Sequence, residues 1–154
     1  MKKLILTALT LALIAVAPAA LAGSANGTLT VNASVAANCT IAAASLNFGA
    51  YDPVVTNATA DLDGSTTMAV ACTKGVNPNI TTATPGSAMT GGSYSLNYLL
   101  YSDSGRTTSF VPGFSMGAAP SKSARDLNIY GRVAAGQDVG VSAYTGTITV
   151  TVNF

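Results

Sequence analysis

The residues in this chain that are best able to do chemistry are its two cysteines, Cys39 and Cys72. An even number of cysteines in an exported chain favours a disulfide. The closed loop would hold roughly 34 residues, for which the chain-entropy relation gives about 3–4 kcal/mol of stabilisation. Two free buried thiols are the alternative. A metal site is disfavoured, because the sequence has no histidine and no third cysteine to complete it.

General acid–base catalysis has few candidate residues in this sequence. There is no histidine and no glutamate, so a Ser-His-Asp arrangement is impossible and any pair of catalytic carboxylates would have to be aspartates. The stretch "DLDG" at 61–64 has the start of a calcium loop. It lacks the later ligands and the closing glutamate, so we interpret it as a polar turn. We therefore expect no enzyme activity, no metal and no cofactor.

Residues 1–22 have the form of a secretory signal peptide. Lys2 and Lys3 are followed by a short apolar run that ends in the small-x-small site Ala20-Leu21-Ala22. An uncleaved anchor helix is the alternative. Cleavage after Ala22 leaves one domain's worth of chain, with five basic side chains against six aspartates. A chain so close to neutral is a poor ligand for nucleic acid. The signal peptide predicts export without stable membrane insertion.

The rest of the sequence has the pattern of an all-β protein. Short runs rich in Thr and Val are separated by Gly, Pro, Asn and Asp, which favours an antiparallel sandwich or barrel. Strands are predicted at 28–35, 39–48, 66–73, 78–83, 93–102, 125–133 and 144–154. Loops are predicted at 84–92 and 111–123.

Two of the predicted strands lie at the ends of the mature chain. Each alternates apolar and polar residues with the period of two that a half-buried strand shows. The apolar faces are Leu29, Val31, Ala33 and Val35 in the first strand, and Ile148, Val150, Val152 and Phe154 in the last. A chain start is usually frayed unless something pairs with it, and after Phe154 no residues remain for a further strand. We expect the first strand to pair with another molecule.

Five stretches together carry a family resemblance. In order they are "ANCTI", "LNFGAY", "VACT", "LNYLLYSDSGRTT" and the ending "YTGTITVTVNF". Their order and spacing resemble the spore coat protein U family, which includes the major pilins of archaic chaperone–usher pili. The resemblance implies an incomplete immunoglobulin-like sandwich at 37–154 that lacks its final strand. It also implies that residues 23–36 are a donor-strand extension.

The resemblance further implies a route of assembly. A periplasmic chaperone lends a strand to the groove, and at the outer-membrane usher the extension of the next copy replaces it, which builds a head-to-tail fibre with roles in adhesion and biofilm. Leu29, Val31, Ala33 and Val35 would be the donor face, and Ile148, Val150, Val152 and Phe154 the strand bordering the groove and contacting the chaperone. By analogy with the wider group, basic residues of the chaperone would hold the Phe154 carboxylate. Cys39 and Cys72 match the family's disulfide between the first two core strands.

Two other classes of protein share some of these features. A small outer-membrane barrel also carries a signal peptide, alternates with a period of two and often ends in Phe. It needs strands of about 9–11 residues and aromatic girdles, whereas this chain has no Trp and mostly shorter runs. A secreted binding sandwich or a spore-coat-type subunit would have the same fold class. A tip adhesin would need a second domain, for which the chain has no room.

Overall fold

The strands of this protein are its only regular secondary structure in the described residues. The computed structural model describes residues 22–84, 86–110 and 113–154. The predicted signal peptide therefore lies almost entirely outside the described residues. No described segment forms a helix that could cross a membrane. The strands are β1 (Cys39–Ile41), β2 (Leu62–Cys72), β3 (Asn79–Thr82), β4 (Gly86–Gly91), β5 (Tyr94–Tyr101), β6 (Phe114–Ser115), β7 (Arg125–Val133) and β8 (Val150–Asn153).

The strands form two sheets. One has the order β1-β2-β7-β5-β4 and the other the order β6-β3-β8, and every pairing between described strands is antiparallel. The core lies between the sheets, because Ile80 of the smaller sheet packs in one cluster with Val70 and Leu127 of the larger sheet. The fold class predicted from the sequence, an all-β protein, is confirmed.

Alternation in the sequence explains the three central strands. In β7, Leu127, Ile129, Gly131 and Val133 are buried, while the residues between them are exposed or half-buried. β2 and β5 follow the same period, which places one apolar face of each strand on the core. The predicted strands at 66–73, 93–102 and 125–133 are confirmed by β2, β5 and β7, and that at 78–83 by β3.

The predicted loop at 84–92 is wrong, because it contains the edge strand β4. The Gly, Ser and Thr residues of this segment favour a loop on propensity alone. In the structure they pair antiparallel with β5 from Gly86↔Leu99 to Gly91↔Tyr94. A side chain at Gly86 would collide with the backbone of Tyr98 and with Leu99, so the close approach of the two strands requires glycine there. The predicted loop at 111–123 likewise contains the two-residue strand β6.

The other differences concern strands that are shorter than predicted. The run 39–48 is a strand only at Cys39–Ile41, and the run 144–154 only at Val150–Asn153. Residues 28–35 have no strand partner among the described residues. The alternation at these positions is intact, so what they lack in the structure is a neighbouring strand to complete the ladder.

A disulfide joins Cys39 and Cys72, as predicted. The two residues lie opposite each other in the β1–β2 register, so the bond crosslinks neighbouring strands at the first residue of β1. The described residues contain no free cysteine.

We expect the double change Cys39→Ser and Cys72→Ser to lower the free energy of unfolding by about 3–4 kcal/mol, because the reduced chain gains the entropy of an open loop. Urea unfolding of the oxidised wild type and the double variant measures this difference. Adding reductant to the double variant is the control and should change nothing. An unfolding free energy equal to that of the wild type would contradict the prediction.

A side-chain amide extends the pairing of β5 beyond its contact with β7, which runs only from Leu99 to Tyr101. Gln137 Oε1 accepts a hydrogen bond from the Asn97 N–H at 2.8 Å, and Gln137 Nε2 donates to the Asn97 carbonyl at 2.9 Å. The Gln137 backbone N–H is also fixed, since it donates to the Tyr51 hydroxyl at 2.9 Å. The amide thus occupies the place of a strand residue.

We expect Gln137→Met to cost about 1–2 kcal/mol of unfolding free energy, because it keeps the length of the side chain and removes its hydrogen bonds to Asn97 and to the Ala134 carbonyl. Asp138→Ala is a matched control, because this neighbouring residue is exposed and its loss should change stability little. The measurement is urea unfolding of both variants beside the wild type. Equal stability of the two variants would show that the amide does not act as a strand substitute.

Candidate functional site: an apolar groove between two unpaired segments

Two segments that lie outside the strands and are largely unpaired face each other across the core; the one backbone pairing of the second with another described residue is the bridge between Thr145 and Thr90 of β4. The first wall is 42–50, which continues from β1, and the second wall is 144–149, which leads into β8. Ala42 N–H still donates to the Ala69 carbonyl at 2.9 Å. Beyond it, residues 43–48 make no backbone–backbone hydrogen bond to any described residue, and the same holds for 146–149. Backbone groups on both walls are therefore available to a further strand.

The space between the walls is a groove made of two adjoining clefts. The first cleft, of about 450 Å³, lies between Ala44 and Val150, and the second cleft, of about 510 Å³, lies between Ala50 and Val141. Both clefts are lined by Leu46, Phe48, Met89 and Tyr144, so they are continuous. Residue numbers rise along the first wall where they fall along the second, which means that the walls run in opposite directions.

The floor of the groove is the hydrophobic core itself. Met68 of β2, Tyr98 and Leu100 of β5 and Ile129 of β7 line the first cleft, and all but Met68 are buried members of the core cluster. Burial raises the pKa of the Tyr98 phenol, and a hydrogen bond with the Ser87 side chain opposes part of that rise. The phenol therefore stays neutral at any physiological pH, and no described residue that lines either cleft carries a charge. The site suits apolar side chains.

A pair of glycines positions the first wall. Gly64 of β2 and Gly131 of β7 lie opposite each other in the register, with their Cα atoms toward the core. A methyl group at Gly131 would lie 2.6 Å from the Phe48 ring and 2.7 Å from Leu46, and one at Gly64 would lie 3.1 Å from the same ring. The two glycines thus form a notch that receives Phe48, whose ring centroid is 6.0 Å from that of Tyr98.

Arg106 fixes the same glycine pair from the outer face of the sheet. Its Nε donates to the Gly131 carbonyl at 3.0 Å and its Nη2 donates to the Gly64 carbonyl at 3.2 Å. Arg106 has a φ of 56°, in the left-handed region that a non-glycine residue adopts rarely. Its ion pair with Asp63 (3.2 Å) and its position 5.9 Å over the Tyr130 ring hold the side chain in this place.

The predicted groove-edge residues fall into two groups. Ile148 and Val150 line the first cleft, and Val152 is half-buried against the core in the β8 ladder, opposite Ile80. Phe154 lies beyond β8, is 59% exposed and lines neither cleft. The structure therefore brings three of the four predicted residues to the second wall or its continuation.

The predicted donor residues lie in a segment without regular structure. Leu29, Val31 and Val35 are between 81% and 85% exposed, and Ala33 is also exposed. Apolar side chains are unfavourable in water, so this exposed segment is a candidate for burial in another molecule.

Sequence reasoning missed part of the groove. Leu46 and Phe48 have the period-two spacing of a strand, and the same argument that assigned the second wall could have assigned them to the first. Met89 was missed because its segment was predicted as a loop. The contact between the second wall and β4, where Thr90 and Thr145 exchange backbone hydrogen bonds of 2.8 and 3.1 Å, has no signal in the sequence.

A comparison with solved structures identifies the class of fold. A chain in the crystal structure of the CsuC–CsuE chaperone–tip adhesion subunit pre-assembly complex, from archaic chaperone–usher Csu pili of Acinetobacter baumannii, matches with a TM-score of 0.56 at 19% identity. The match covers 78% of this chain and 40% of that chain, so this protein spans less than half of the length of its structural neighbour. The fold is that of a protein from a chaperone–usher pilus complex.

Sequence comparison then identifies the family. The Spore Coat Protein U domain model matches residues 25–151. The chain is 31% identical to "Protein U" of Myxococcus xanthus over 169 aligned residues, which cover 92% of this chain and 91% of that protein. This chain belongs to the spore coat protein U family, and the resemblance noted in its sequence is confirmed.

We expect Gly131→Ala to displace Phe48 from its notch and to lower the free energy of unfolding by about 1–3 kcal/mol, the usual cost of overpacking. Gly27→Ala is the control, because a methyl group there meets nothing within 4 Å. Thermal and urea unfolding of both variants measure the effect. If Gly131→Ala were as stable as Gly27→Ala, Phe48 would not be held by the glycine pair.

Proposed function

We propose that this protein is a structural, non-catalytic subunit of a surface pilus assembled by the chaperone–usher route. The observation that supports this most directly is the groove, in which the core is open to solvent between two segments with unpaired backbone. A β-strand from another molecule, inserted there, would bury apolar side chains and complete a backbone ladder at the same time. The missing final strand of the sandwich is then the strand that another chain supplies.

The sheet order supports a strand at this position. β8 is at one edge of the smaller sheet and β1 is at one edge of the larger sheet, and their continuations form the two walls. Because every described pairing is antiparallel, a strand that extends the smaller sheet beside β8 should run antiparallel to it. Such a strand enters at the first cleft and leaves at the second.

The occupant that fits is the extension of another copy. Leu29, Val31, Ala33 and Val35 alternate with polar residues, and the six residue steps from first to last span about 20 Å in a strand. The first wall lines the combined clefts over the same number of residue steps, from Ala44 to Ala50. Ala33 is small and would fill its position only shallowly. A strand that binds a different copy makes a head-to-tail contact, and repetition of that contact builds a filament.

A partner is needed before the fibre forms. An open apolar groove flanked by unpaired backbone is prone to aggregate, so the exported subunit requires a strand from a periplasmic chaperone. At the outer-membrane usher, the extension of the next copy replaces this strand. In this scheme residues 1–22 direct export, 23–36 are the donor extension and 37–154 the pilin domain. Ile148, Val150 and Val152 contact whichever strand fills the groove, and the Phe154 carboxylate contacts basic residues of the chaperone.

A spore-coat-type assembly is a second candidate function. The match of residues 25–151 to the Spore Coat Protein U domain model favours it. The groove and the extension would act in the same way, but the product would be a surface layer instead of a fibre. Electron microscopy of the assembled material separates the two candidates.

We expect Val31→Asp to prevent polymerisation, because it forces a charge into an apolar cleft. Thr30→Asp is the matched control: it adds the same charge one residue away, on the face that the alternation turns toward solvent, and should polymerise normally. Deletion of 23–35 should leave a subunit that still binds chaperone and cannot extend a polymer. The measurement is the yield of polymers on unheated SDS gels after coexpression with a cognate chaperone and usher.

Two results would contradict this proposal. One is wild-type polymer yield from Val31→Asp or from the deletion. The other is a purified mature wild-type chain that, without any added strand, is a long-lived monomer with its own extension in its groove.

A further inference from the structure

Hydrogen bonds within the loop at 52–60 fix the backbone of two solvent-exposed valines. Asp52 Oδ1 accepts hydrogen bonds from the N–H groups of Val54 and Val55 at 2.9 and 3.1 Å, and these bonds hold the pKa of the Asp52 carboxyl below its ordinary value. Asn57, which is 2% exposed, accepts from the Asp52 N–H and donates to the Ala60 carbonyl, both at 2.9 Å. In this braced loop Val54 is 82% exposed and Val55 is 72% exposed.

These valines belong to a larger apolar surface at the end of the groove. Val141, in the segment before the second wall, is fully exposed and lines the second cleft together with Pro53. We call Val54, Val55 and Val141 the valine face. The acidic residues closest to the valine face in sequence are Asp52 and Asp138, and both are exposed. Three exposed valines at one end of the sandwich, two of them on a hydrogen-bonded loop, indicate a contact surface.

The opposite end of the sandwich carries the lysines. β2 has 11 residues, which separate its two ends by about 34 Å. Lys74 lies two residues after the end of β2, and the Gly75 N–H donates to the Ala119 carbonyl at 2.8 Å, which brings the segment containing Lys122 to the same end. We call Lys74 and Lys122 the lysine face. Both side chains are exposed, and no ion pair of either is found among the described residues.

The residues that precede β1 are hydrogen-bonded to Thr73, which is next to Lys74 of the lysine face. The Thr73 N–H donates to the Asn38 carbonyl at 2.8 Å, and Thr73 Oγ1 donates to the Ala36 carbonyl at 3.2 Å. The backbone is therefore tied to the sandwich from Ala36 onward, and the last proposed donor residue, Val35, is its immediate neighbour. Consecutive Cα atoms are about 3.8 Å apart, so a donor strand has almost no slack between its own sandwich and the groove that it fills.

We propose that the valine face of one copy docks against the lysine face of the next copy along the fibre. This inference rests on the proposed function, in which the donor strand leaves its groove at the second cleft, beside the valine face. Ala36 and Thr73 of the donor copy then bring its lysine face to that place. The methylene stems of the lysines then cover the valines, while the lysine ammonium groups meet Asp52 and Asp138.

Zero-length carbodiimide crosslinking of assembled wild-type polymers, followed by peptide mass spectrometry, tests the contact. We expect crosslinks from Asp52 or Asp138 to Lys74 or Lys122. These residues lie at opposite ends of one copy, so such a crosslink joins two copies. It should be absent from the subunit bound to its chaperone. Lys74 and Lys122 are the only lysines after the predicted signal peptide, which makes the crosslinked peptides unambiguous.

Variants separate the contact from strand exchange. Val54→Ser with Val55→Ser should leave polymer yield unchanged and reduce these crosslinks about five-fold, as loss of a modest surface contact would, because the variant keeps every carboxylate and every lysine that can react. Leu99→Ser, on the outer face of the larger sheet, is the control and should change neither. Polymers without the crosslinks, or with crosslinks unaffected in the double valine variant, overturn this inference alone. Failure of the wild-type chain to polymerise overturns the proposed function and this inference with it.

Discussion

The structure depends on a core that its own described strands do not close. β2, β5 and β7 supply a continuous apolar face, but along one side of the sandwich the segments at 42–50 and 144–149 stand apart with buried core residues between them. Leu100 and Ile129, both buried, line this opening. A strand placed between the two segments would bury apolar surface and form backbone hydrogen bonds at the same time. Neither segment can do this by itself.

Small residues give this opening its shape. The glycine pair at 64 and 131 lets Phe48 and Leu46 lie directly on the larger sheet, and Arg106 holds the glycine carbonyls from the other side. β4 approaches β5 closely because Gly86 has no side chain to separate them. The large side chains of the first wall and the glycines beneath them therefore belong to one packing arrangement. A change to either should disturb the same groove.

Period-two alternation predicted the central strands because each has a buried face and partners on both sides. The same pattern predicted strands at 42–48 and 144–149, where the structure has the alternation without the ladder. A sequence can show that a segment suits a sheet, but it does not show whether the folded chain supplies that segment with a partner strand. β4 was missed for the opposite reason: Gly, Ser and Thr are weak strand formers, and only the neighbouring β5 makes them a strand. The exposure of Val54 and Val55 also had no sequence signal, since it depends on the hydrogen bonds of Asp52 and Asn57.

The position of the disulfide has a mechanical consequence. Residues before Cys39 and the first wall of the groove belong to one continuous stretch of backbone, with the three-residue strand β1 between them. A pull on the leading segment would shear so short a ladder and draw the wall along with it. The sulfur–sulfur bond at the first residue of β1 diverts that tension into β2, a long strand paired on both sides. The wall is thereby isolated from force applied to the segment that precedes it.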